Sequence, residues 1–270
     1  MSKFDSYCRE RLCQAVDNGQ IPHNLYKYCS GERCLQILNN HSVMFSSCMA
    51  FNDPFDCAVY LDGNATIEEW HTYLSMQSMP PLLRAQTEMN ILKDPQKAAI
   101  ELEKGYWDSV KEMGIFCLSE APDIILLWSH YADFHKGVCL RFDILKDMDT
   151  FLSPIKVVYN NEYPRVKYIS QYINNDPNLA DALWHKAKDW EYEKEYRVIK
   201  PNFKGLKEFR KEAMTGIIFG CCCPDETKRE ITEKLNEKGF TGVELFEAIR
   251  SETAYQLNLN SIGEGDFKQG

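Results

Sequence analysis

The stretch Trp190-Glu191-Tyr192-Glu193-Lys194-Glu195-Tyr196-Arg197-Val198-Ile199-Lys200 decides how this chain is read. It runs from an acidic, aromatic start into Val198-Ile199 and stops at Pro201, so its second half is expected to be a strand. Side chains alternate faces along a strand, which would put Glu193, Glu195 and Arg197 in one row and Lys194, Tyr196 and Val198 in the other. A row of two carboxylates and a guanidinium suits a solvated edge strand carrying a surface ion pair. It equally suits a cleft in which neighbouring charges set each carboxyl's proton affinity.

Working outward, 270 residues with 44% hydrophobic content are enough for one elaborated domain with a substantial core. A single α+β domain over 1–270 is expected, with a helical insertion at 66–112 marked by Pro80-Pro81 and Asp94-Pro95. The net charge of −9 disfavours a broad electrostatic grip on nucleic acid or anionic lipid. No secretory leader and no bilayer-length apolar run is read, so the expected setting is cytoplasmic, with no membrane partner. The eleven cysteines then read as reduced thiols, most of them small core hydrophobes. Cys221-Cys222-Cys223 lacks zinc-site spacing and is expected to be reduced and metal-free.

Upstream, helices are expected at 4–18 and from Gly31 to Asn40, and strands at 24–28 and 43–46. Phe51-Asn52-Asp53-Pro54-Phe55-Asp56 reads as a fixed turn with self-capping aspartates, ahead of a metal site. Strand 115–119 ends on the Ser119 hydroxyl, Pro122 and Asp123 suit a first helical turn, and strand 138–142 follows. His130, in a run of bulky residues, is expected in the core or supporting the site before it is expected to be catalytic. Beyond come a strand at 155–159, a long helical segment at about 165–188 interrupted near Asn174-Asn175-Asp176-Pro177, strand 216–220, a helix at 225–238, and strands 243–246 and 255–259. Strands outside a βαβ rhythm argue for α+β. There is no phosphate-binding glycine loop, H-E-x-x-H or G-x-S-x-G.

Leu25-Tyr26-Lys27-Tyr28, the 51–56 turn, Phe116 to Ser119, Trp128 to Tyr131, Gly137-Val138-Cys139 and Trp190 to Arg197 together resemble the bacterial domain of unknown function numbered 2971, over most of 24–225. That family implies no function. The order of the same motifs is more distantly similar to the three-motif plan of ADP-ribosyltransferases, especially the branch with DNA-modifying toxins and RNA 2′-phosphotransferases.

This similarity implies a split β-sheet core and NAD as substrate. By analogy it also implies a toxin or phage-defence role, with a macromolecular acceptor, protein or nucleic acid. Motif one would fall on Tyr26, Lys27 and Tyr28, where the usual His or Arg is replaced by Lys27 or Tyr28. Motif two would fall on Ser119 with Trp128 and Tyr131 as an aromatic wall, and motif three on Glu193 and Glu195. The resemblance implies that Glu195 stabilises the ribose cation as nicotinamide leaves, while Glu193 orients acceptor or ribose. Arg197 would steady that pair or a phosphate, Lys27 would meet the pyrophosphate, and Tyr28 would pack on nicotinamide. Two other classes stay open: a nucleotide- or partner-binding module without turnover, and a metal-dependent hydrolase using Asp53, Asp56, Glu193 and Glu195.

Overall fold

In the computed structural model, which describes residues 3–176 and 181–263, the chain opens with α1 (Lys3–Asp17), closed at Gly19 with φ +68°. Then come β1 (Asn24–Cys29), α2 (Gly31–Asn40) with Ser30 as N-cap, and β2 (Ser42–Phe45). After β3 (Tyr60–Asp62), the 66–112 segment folds as α3 (Ile67–Met76), α4 (Pro81–Lys93) and α5 (Pro95–Lys111). Thr66 and Glu69 form a capping box on α3, and Pro81 and Pro95 stand where a first turn needs no N–H.

The middle of the chain gives β4 (Gly114–Ser119), α6 (Ile125–Tyr131), β5 (Val138–Asp143), β6 (Ile155–Lys156), β7 (Val158–Asn160), β8 (Arg165–Lys167), α7 (Tyr168–Ile173) and β9 (His185–Ala187). A 3-10 helix (Lys188–Glu193) leads into β10 (Glu195–Lys200), and β11 (Gly205–Glu208), β12 (Met214–Phe219), α8 (Asp225–Glu237), β13 (Glu244–Arg250) and β14 (Leu257–Ile262) complete it.

The fold is α+β. Eight strands form one mixed sheet in the order β14-β13-β12-β5-β1-β4-β10-β6, in which only β12 and β13 run parallel, joined by α8. One face buries Leu25, Leu140, Phe142 and Ile217 against Ile37 and Leu38 of α2 and Ile231 of α8; the other buries Tyr28, Cys139 and Ile218 against Leu127 and Trp128 of α6. Cover on both faces explains why β5 reads as a nearly unbroken apolar run. The short helices α3, α4 and α7 bury Trp70, Leu74, Ile91 and Ile169 in a separate small core.

What positions the site is a gap in this sheet. β1 pairs with β5 along its whole length, and β10 with β4 likewise, but β1 and β4 share the single register pair Tyr26↔Ser119. Past it they diverge, and β4 finds its next partner at Ser46↔Ile115. Between these two points the Cys117 carbonyl accepts a hydrogen bond from Lys27 Nζ at 3.0 Å, so a side chain replaces the missing strand.

Several sequence expectations are corrected. The 165–188 segment holds strands β8 and β9 at its two ends and helix only in α7, which ends at Ile173 just before the expected break; Pro177 lies outside the described residues. Parallel pairing of β8 with β3 and of β9 with β7 overrides local helical periodicity. The 155–159 strand breaks at Val157, whose N–H donates to Glu195 O while the N–H of Val158 turns to Trp184 O. α6 begins at Ile125, after Pro122 and Asp123. His130 is exposed, ringed by Tyr131, Trp190 and Tyr192 and not in the core. Glu193 ends a 3-10 turn and Lys194 is left-handed at φ 46°, so the strand starts only at Glu195.

Candidate functional site

The gap between β1 and β4 opens into a cavity of about 290 Å³. Tyr26 and Tyr28 line it from β1, Cys117 and Ser119 from β4, Leu127 and Tyr131 from α6, and Phe51, Asn52 and Asp56 from the turn. Its charged end is formed by Lys186, Glu193 and Glu195. Glu193 reaches this end although it is not on the strand: the left-handed Lys194 folds the chain back so that both carboxylates converge on one ammonium.

That ammonium is Lys186 Nζ, 2.6 Å from Glu193 Oε2, 3.2 Å from Glu195 Oε2 and 3.4 Å from Asp56 Oδ2. Behind it Arg197, with no exposed surface, donates through Nε to Glu195 Oε1 at 2.8 Å and through Nη2 to both oxygens of Asp56 at 2.8 and 2.9 Å. Arg197 Nη1 also donates to Leu183 O, and the Phe51 ring lies 5.4 Å from the guanidinium. Three carboxylates face two cations, all buried, which leaves one negative charge in excess when every group is ionised. Buried ions in such numbers persist only when each is paired.

The two glutamates are pushed apart in proton affinity. Burial alone would raise Glu195, but Arg197 and Lys186 outweigh it and hold the carboxyl below its usual range, at about 2. Burial raises Glu193, and Lys186 offsets this only in part because the charge of Glu195 adds to the rise. Burial pulls Lys186 down, yet the attraction of Glu195, Glu193 and Asp56 is greater and holds it above its ordinary value. A carboxylate kept ionised beside a carboxyl that keeps its proton longer is the arrangement acid–base chemistry needs.

Smaller contacts fix the pair. Tyr131 OH donates to Glu193 Oε1 at 2.8 Å and accepts from Asn52 Nδ2; Ser119 Oγ donates to the Glu193 carbonyl at 2.7 Å. The Glu195 N–H donates to the Tyr159 hydroxyl at 2.8 Å. Tyr28 OH donates to Ala121 O and accepts from the Ile124 N–H, pinning the approach to α6 against β1.

The structure thus brings together Tyr26, Tyr28, Ser119, Tyr131, Glu193 and Glu195, but three expected roles change. Trp128 is fully buried, edge-on to Tyr28 at 5.2 Å with Nε1 donating to Pro122 O, so it backs the cavity and is not its wall; Leu127 takes that place. Arg197 is wholly committed to Glu195, Asp56 and Leu183 and offers nothing to a phosphate. Lys27 borders the cavity, but its ammonium is bound to Cys117 O and lies 5.2 Å from the Phe116 ring centre.

In the turn, Asp53 caps the Phe55 N–H as expected, whereas Asp56 joins the charge cluster. Asp56, Glu193 and Glu195 are therefore bound to the side-chain cations Lys186 and Arg197 where a hydrolase would place metal, and no set of three or more ligating side chains is arranged for a metal among the described residues. Lys186 and Tyr159 were missed by sequence reasoning, since a lone lysine and tyrosine between short strands carry no periodic signal.

A family model described as protein of unknown function (DUF2971) matches residues 127–198, from α6 into β10. That span contains Tyr131, Lys186, Glu193, Glu195 and Arg197; the resemblance read from the sequence over most of 24–225 is matched by the family model over 127–198. No curated protein and no solved structure matches the chain.

Proposed function

We propose that the cleft binds NAD and breaks its nicotinamide–ribose bond, passing ADP-ribose to water or to a macromolecular acceptor. The observation that carries this is the pair of buried glutamates, one held ionised and one pushed up, at the charged end of a cavity in a gap of the sheet. Breaking that bond builds positive charge on the ribose carbon, and the excess negative charge of the cluster favours such a group over a neutral one. Glu195 supplies the fixed carboxylate, which contributes a few kcal/mol in a water-poor site. Glu193, with Tyr131 on its other oxygen, receives the acceptor's proton or orients the ribose. Tyr26, Tyr28 and Leu127 offer surface to the nicotinamide ring. A toxin or phage-defence role comes from the resemblance alone, and a cytoplasmic setting from the sequence reading of cysteines and apolar runs. No helix among the described residues is long and apolar enough to cross a membrane.

Binding without turnover is the second reading, favoured by one specific feature: Lys186 already occupies both glutamates, so a ribose hydroxyl must displace it. Incubation of the protein with NAD, followed by chromatography for free nicotinamide, separates the two. Release above the spontaneous rate supports cleavage; a raised melting temperature with NAD and no release supports binding only, and neither effect removes NAD as the ligand.

A further inference from the structure

Behind the charged end of the cleft lies a second cavity, of about 590 Å³, and β9 forms the wall between the two. Lys186 of β9 borders both spaces: its ammonium joins the cluster, and with its neighbours His185 and Ala187 it lines the second cavity. Around it stand three large rings offered to water: Phe55, Tyr60 and Tyr163 are 59%, 54% and 51% exposed. No ring–ring contact joins them among the described residues, so they are spread around the space instead of packed on one another. Rings grouped in this way about one concavity mark a binding site more often than isolated exposed aromatics do.

The polar groups narrow the ligand. Tyr60 and Arg165 are register partners of the β3–β8 pair, which brings the guanidinium to 5.0 Å from the ring centre. The guanidinium thus lies over one face of the Tyr60 ring, a cation–π pair of the kind that nucleobases extend by stacking. Asn160 and Asn161 line the same space with amides that both donate and accept. Glu162 and Asp189 stand at the same rim as Arg165, so its guanidinium gives a point of attachment for a phosphate and not a basic tract for a long backbone.

We propose that this second cavity is a nucleobase subsite, taking one base and its phosphate between Phe55, Tyr60, Tyr163 and Arg165. Phe55 is adjacent in sequence to Asp56, which is bound to Arg197 and within 3.4 Å of Lys186, so an occupant sits one residue away from the charge cluster. The base comes either from a free nucleotide, including the adenine end of a dinucleotide, or from one nucleotide of a single strand. The site stands on its own contacts, whether or not the first cavity turns over NAD.

Binding is measured in the absence of NAD with two probes, ethenoadenosine monophosphate by fluorescence and a fluorescein-labelled single-stranded oligonucleotide by anisotropy. Ribose 5-phosphate serves as the base-free competitor. The subsite is supported when at least one probe binds, ribose 5-phosphate fails to displace it, and Tyr163→Ala and Arg165→Glu each weaken it about tenfold or more. Which probe binds tells the two sources apart. Both changes lie on exposed positions, so melting temperatures should stay within about 2 °C of the parent. Failure of both probes at millimolar concentration overturns the proposal, as does displacement by ribose 5-phosphate or parent-like binding by both variants. None of these results depends on nicotinamide release, which is scored separately.

Discussion

Tyr26 and Glu195 stand on either side of Ser119, each its partner in register, so residues far apart in the chain share one row across three adjacent strands. The row is where the sheet stops pairing continuously, and the cavity opens from it. One polar residue on each strand therefore reaches the same space without any of the three lying in a flexible loop.

Replacing Lys186 by methionine keeps the side chain's bulk but leaves Asp56 and Glu195 with Arg197 alone, and Glu193 with no cation and only the Tyr131 hydroxyl. Breaking a buried ion network in this way costs about 3–5 kcal/mol. Urea unfolding of Lys186→Met should show a loss of that size. A loss below about 1 kcal/mol would mean that water reaches the cluster.

The pH dependence of stability follows from the opposite shifts of the two glutamates. Glu193 holds its proton more tightly when folded, so its contribution is present below the unfolded carboxyl range and is lost as pH rises through the raised folded value. A glutamine there does not titrate. The melting temperature of the parent should therefore fall relative to that of Glu193→Gln as pH rises from the unfolded carboxyl range, about pH 4, through the raised folded value. Glu195 has the reverse sign: its contribution is present above the unfolded range and disappears as pH falls toward about 2, so the parent should lose ground to Glu195→Gln on acidification. A parent-to-variant difference that does not change with pH in both comparisons contradicts the assignment.

Trp128 should behave as a supporting residue. Trp128→Phe removes the indole donor to Pro122 O and part of a fully buried ring, at about 1–3 kcal/mol. NAD affinity per folded molecule should stay within about twofold, whereas Leu127→Ala, which enlarges the cavity itself, should weaken it about fivefold or more. Equal effects of the two changes on affinity would place Trp128 back in the wall.

The strands that carry Tyr26, Ser119 and Glu195 were legible because each is a short apolar run closed by a polar residue, and periodicity reports such runs directly. Glu193 and Glu195 were paired for the wrong local reason. Strand alternation was expected, but a left-handed Lys194 does the work, and a lysine gives no sequence sign of positive φ as glycine would. β8 and β9 were read as helix because their pairing is parallel and remote, with β3 and β7, and remote partners leave no trace in a local window. Asp56 was seen as a turn residue because its partners, Arg197 and Lys186, are supplied from distant strands. Trp128 was placed in the wall because an aromatic in a motif does not reveal which side of a helix meets the cavity.

The most direct test is the rate of nicotinamide release from NAD by the parent and by Glu195→Gln, each divided by its folded fraction. Glu195 is bonded to Arg197 and Lys186 in the core, so glutamine there should cost some stability as well. Dividing by folded fraction separates the two effects. Removing the charge that faces the ribose cation should lower the rate per folded molecule by about a hundredfold or more. A variant that melts early yet releases nicotinamide at the parent's rate per folded molecule would make Glu195 an ion-pair residue alone and contradict the account.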